Sequence, residues 1–177
     1  MRPLILTLYL LLGMHIALFA QMQYSQTYWN NKLDTLHYEF ATTTEMIRVV
    51  GIGDHFNKEM ATTAAYSDAI DTFTKLFGTA TKNTYNKFVQ QDISMKLESF
   101  LSNLFPKYTR QICGCNIVYN ETISYIYNED YFFRHYVIIE IPASKMLQNL
   151  YMDFIKAFNM KSLDFQHFEE EFILSFQ

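Results

Sequence analysis

The stretch MIRVVGIGDHFNKEMATTAAYSDAI, Met46–Ile70, decides the fold. Its first part, Met46 to Gly53, is β-branched and ends in glycines, so it reads as a strand leaving through a structural turn at Gly51 and Gly53. From Lys58 the period changes. Ala61, Ala65, Ala69 and Phe73 recur every four residues, joined by Ala64, Ile70, Leu76 and Phe77, and Gly78 is a natural C-terminal stop. A stripe of small residues lets a helix axis come close to a sheet. Ala61, Ala65 and Ala69 are therefore the expected helix–sheet contact.

Outward from this unit, Thr79 to Asn86 reads as a polar linker. A second helix carries Phe88, Val89, Ile93, Leu97, Phe100, Leu101 and Leu104 on one face and ends before Pro106. Three extended runs follow, Thr109 to Tyr119, Thr122 to Tyr127 and Tyr131 to Ile141, with turns at Asn120-Glu121 and Asn128-Glu129-Asp130. Val137 to Ile141 has the composition of a central strand, closed by Pro142. Ser144 is the expected cap of a third helix bearing Met146, Leu147, Leu150, Tyr151, Phe154, Ile155 and Phe158. The tail from Leu163 to Phe176 predicts a short amphipathic helix folding back on the core. Gln21 to Thr43 reads as an extended N-terminal arm. The expectation is one α+β domain over 44–177, a small antiparallel sheet of three to four strands with two to four helices mainly on one face.

The first twenty residues, MRPLILTLYLLLGMHIALFA, follow the order of a secretory signal peptide, with Arg2, an apolar run from Leu4 to Ala17, and Ala20 before a cut. The competing reading is an uncleaved anchor, since about 18 apolar residues can span a bilayer. Gly13, His15 and the lack of a basic stop-transfer cluster favour cleavage. Either way the chain is expected outside the cytoplasm: in the periplasm, at the outer membrane or secreted.

Half of the residues are hydrophobic and 17% aromatic, with 16 Phe and 13 Tyr, ample for a core. The net charge is −4 and no Lys/Arg cluster occurs, which argues against nucleic acid or anionic lipid as partner. Cys113 and Cys115 flank Gly114. In an exported protein the pair is expected as a disulfide or free thiols, ahead of a redox dithiol and then a metal site, and a C-G-C ring lies at the far limit of bridging geometry.

Catalytic signatures are missing. Gly51-Ile52-Gly53 would need a further glycine at Phe56 to match a dinucleotide fingerprint, and Asp54 and Glu59 would repel a pyrophosphate. His37, His55, His135 and His167 belong to no metal-binding or nucleophile-activating spacing, and Glu129-Asp130 reads as turn chemistry. No catalytic residue, cofactor or metal is expected.

Val49-Val50-Gly51-Ile52-Gly53 before the alanine helix, and Tyr136 to Lys145 as a strand ending in proline before another helix, resemble the LPP-twenty family of small envelope lipoproteins. The N-terminal domain of flagellar assembly protein T is similar. The resemblance implies an α+β envelope domain that acts by binding, with no catalytic residues to carry over. This chain departs from the family in lacking the lipidated cysteine. The expected function is thus a noncatalytic, exported, envelope-associated binding or structural protein. Its expected partners are other envelope proteins or further copies of itself, without a lipid anchor. Two rivals remain: an exported hydrolase, in which His135 or His55 would meet distant carboxylates in a deep pocket, and a carrier whose aromatics line an apolar cavity.

Overall fold

A computed structural model describes residues 26–89, 94–112 and 115–176. In chain order the elements are α1 (Gln26–Glu39), β1 (Met46–His55), α2 (Lys58–Phe88), α3 (Ser94–Ile112), β2 (Asn116–Tyr127), β3 (Asp130–Pro142), α4 (Ala143–Phe158) and α5 (Phe165–Phe176). The strands form one antiparallel sheet in the order β1-β3-β2, so the fold is α+β. The central place of β3 explains its apolar run, since Tyr136 to Ile139 and Ile141 are buried on both faces. The leader and Cys113 lie outside the described residues.

One face of the sheet carries Ile47, Val49, Val137, Ile139 and Ile141 and packs into the large core formed with α2, α3, α4 and α5. Phenylalanines fill that core in mutual contact. Phe172 meets Phe77 edge-on with centroids 5.7 Å apart, and Phe73 lies at the same centroid distance from Phe176. Each such buried ring contributes on the order of 2 to 3 kcal/mol. The opposite face holds Val50, Tyr136 and Ile138, covered by Trp29 and Leu36 of α1.

That second layer corrects the expected extended arm. Trp29, Leu33, Leu36 and Phe40 stand at helical spacing within a polar segment, and burying them on the sheet turns Gln26–Glu39 into a helix.

Gly51 and Gly53 do not form a turn either. β1 runs straight through both to His55. A Cβ at Gly51 would stand 2.1 Å from the Ala65 carbonyl oxygen, and one at Gly53 2.1 Å from that of Ala61. Both glycines are there because α2 lies against the strand, with Ala61, Ala65 and Ala69 fully buried at the contact.

Further boundaries move for physical reasons. α2 continues through Gly78 and the expected linker for 31 residues. Its buried stripe goes on as Ala80, Thr81, Thr84 and Tyr85, and the Thr81 and Thr84 hydroxyls donate to the Phe77 and Ala80 carbonyls at 2.8 Å. Beside Gly78, the Phe105 ring of α3 takes the room a side chain would need. α3 contains Pro106 and reaches Ile112, so the run expected as extended from Thr109 begins as helix. Asn120-Glu121 lies inside β2, which is irregular only at Ile117/Tyr119. Ser144 does not cap α4, whose first residue is Ala143 and whose N-cap position is Pro142 without a side-chain bond.

Candidate functional site

Three of the five exposed aromatics among the described residues, Phe56, Tyr127 and Tyr131, gather at one end of the sheet. The β2–β3 hairpin closes through Asn128 and Glu129, both left-handed with φ of 50° and 71°. A two-residue loop of this kind matches the right-handed strand twist, and asparagine at its first position tolerates the conformation. The hairpin carries Tyr127, 62% exposed, and Tyr131, 47% exposed. Tyr131 packs edge-on against Phe133 and Tyr127 against Phe132. Phe133 stands opposite His55 at the end of β1, which brings in Phe56, 69% exposed and against the His55 ring with centroids 4.1 Å apart.

The connection into α2 holds this end in place. The Asn57 amide donates to His55 Nδ1 at 2.9 Å, and Asn57 Oδ1 accepts from the Glu59 and Met60 amides, capping the helix. Carboxylate pairing is no part of the geometry at Glu129-Asp130: Glu129 forms the turn, and Asp130 starts β3 opposite Tyr127.

Behind the tip, α1 is fixed by a polar and aromatic lock. Asp54 and Arg134 face each other across β1 and β3 and make two hydrogen bonds of 2.7 and 2.6 Å. The Tyr125 hydroxyl donates to Asp54 at 3.1 Å, and the guanidinium lies over the Trp29 ring, 4.3 Å from its centroid. Burial works against the Arg134 charge, but the Asp54 carboxylate more than offsets it and raises its pKa above the ordinary value. Burial first, and Asp54 second, raise the Tyr125 phenol. One turn further along α1, Lys32 pairs with Glu121 at 2.6 Å, and the Tyr119 hydroxyl donates to the same carboxylate. Although burial opposes it, this pairing lowers the Glu121 pKa.

His135 is buried, 2% exposed, on the helix-covered face. Its Nδ1 lies 2.8 Å from the Thr122 hydroxyl oxygen, and its Nε2 has no hydrogen-bond partner among the described residues. Burial, then the nearby Lys58 charge, lowers its pKa. The ion pairs among the described residues join Lys or Arg to carboxylates, and no histidine takes part. His37 lines one open groove, of about 460 Å³, with Phe40, Arg48 and Phe176. His167 packs against Phe88. Cys115 and Asn116 line another groove of about 430 Å³ with Glu140, Lys145 and Asn149. Among the described residues, no three metal-ligating side chains converge, and no helix is long and apolar enough to cross a membrane.

The structure thus unites residues that sequence spacing left apart. Trp29, Asp54, Tyr125 and Arg134 come from four elements, and Trp29 within a polar segment was the one available hint. No family model, curated protein or solved structure matches the chain.

Proposed function

We propose that this chain is a noncatalytic, exported, envelope-associated protein that works by holding other proteins, with the aromatic end of the sheet as its contact surface. The observation that carries this reading is the exposure of Phe56, Tyr127 and Tyr131 at one end, while seven phenylalanines are buried in the main core. Clustered exposed aromatics supply contact area at low entropic cost and are the usual anchors of interfaces. The hydrolase reading draws no support from His135, whose neighbours are hydroxyls and a lysine. Nor does the carrier reading gain from the two grooves, which are open and lined by few aromatics.

Photo-crosslinking residues placed at Tyr127 and Tyr131, with Leu174 of α5 as an exposed control, test the surface. Discrete crosslinked envelope proteins are expected from the two tip positions and not from Leu174. Equal products at all three, or none at the tip, would sink the reading. The mass of the exported chain tests its address, with a start at Gln21 expected.

A further inference from the structure

The two outer strands of the sheet, β1 and β2, are finished differently. Along β1 the Thr42 hydroxyl accepts from the Arg48 amide at 3.1 Å and donates to the Arg48 carbonyl at 3.2 Å. Further along, Asp68 of α2 accepts from the Ile52 amide at 2.9 Å. These side chains occupy backbone groups that an added strand would need. Among the described residues, none does the same for Asn116–Tyr127, and no fourth strand pairs there. β2 is twelve residues long and contains no Lys, Arg or Pro, residues that commonly guard an edge. Its irregularity at Ile117/Tyr119 disturbs one end and leaves Tyr119 to Tyr127 regular. Its one charge, Glu121, is already paired with Lys32 of the same chain.

We infer that β2 is the edge through which two copies of this chain pair, antiparallel about a two-fold axis, joining two sheets into one of six strands. The inference rests on the binding role proposed above and names the chain itself as a partner. The strand is complementary to itself. Through its register with β3, Asn120, Thr122 and Ser124 share the helix-covered side of the sheet, while Tyr119, Glu121, Ile123 and Tyr125 share the α1 side. An axis through Thr122 sets Asn120 opposite Ser124, Tyr119 opposite Tyr125 and Glu121 opposite Ile123, so every pair matches in face. An axis through Glu121 would instead oppose two carboxylates. The same pairing brings the exposed Ile117 and Val118 of one copy beside Ile126 and Tyr127 of the other. With β1 plugged, the described residues leave one open edge, and the assembly closes at two copies instead of growing into a fibre.

The test is the solution mass, by sedimentation equilibrium, of the chain as purified from expressing cells. The variants N120K/S124K and N120E/S124E are measured singly and as an equal mixture. Both positions lie outside the buried core, and far-UV circular dichroism checks that each variant folds. The native chain is expected to have the mass of two copies, each variant that of one, and the mixture again that of two. A native chain that stays monomeric at all concentrations overturns the inference and leaves the edge to a strand of another protein. A Lys/Lys variant that stays dimeric, or two folded monomeric variants that do not combine, overturns it as well. Crosslinking from Tyr131 to other envelope proteins would survive any of these failures, so the two proposals fail separately.

Discussion

At Gly51 a single added methyl group would meet the Ala65 carbonyl oxygen at 2.1 Å and the Ala69 amide nitrogen at 2.6 Å. Both are backbone atoms, so relief requires moving α2 off the sheet. Gly51→Ala is therefore expected to cost at least about 2 kcal/mol in urea unfolding. Gly78→Ala, which meets only the edge of the Phe105 ring, is expected to shift stability by no more than about 1 kcal/mol. The alanine stripe announced the close approach, but the glycines opposite it read equally well as a turn. Only the continuation of the strand to His55 separates the two. His135 makes a second prediction at this scale. Folding holds its pKa below the ordinary value, while the unfolded chain titrates near 6.5. Below that pH the unfolded state takes up a proton that the folded state refuses. Stability from this group is fully present above about pH 6.5 and is lost as pH falls toward the folded value. Urea unfolding of the native chain and of His135→Gln should show the native advantage shrinking as pH falls below about 6.5. A constant difference would refute the assignment.

Among the elements, α3 shows how tertiary packing overrides a local signal. Pro106 marked a helix end, yet Leu104 and Tyr108 on either side are buried in the main core, and the helix runs past the proline to keep both there. Pro106 itself is exposed. Pro106→Ala should restore a helical amide donor and raise stability by roughly 1 to 3 kcal/mol, read from the denaturation midpoint. α1 failed to show in the sequence for the opposite reason. Of its partners, Tyr119, Glu121, Tyr125 and Arg134 stand about ninety residues or more away and only Val50 and Ile52 of β1 are near in sequence, and its exposed face is largely polar. The β2–β3 hairpin was more legible, because Asn128-Glu129 supplies its turn chemistry locally.

Over the whole molecule the sheet separates two unequal layers. The helix-rich side unites α2, α3, α4 and α5 through phenylalanines in edge-on and tilted contact, and its apolar periodicity made the α+β class readable in advance. The other side rests on five buried residues and the Arg134 lock. Its candidate site was not readable, since exposure at Phe56, Tyr127 and Tyr131 depends on where the sheet ends and not on residue type. Unequal layers should open at unequal cost, the smaller one first. The position of Trp29 makes that order visible. It is the only tryptophan in the chain and lies in the thin layer, so its fluorescence reports the docking of α1 on the sheet, while far-UV circular dichroism reports mainly the other helices. In a urea titration the emission shift of Trp29 should come before the loss of ellipticity. Coincident curves would show that α1 holds on until the main core gives way. The native chain thus carries its own optical probe of the layer that covers the sheet's second face.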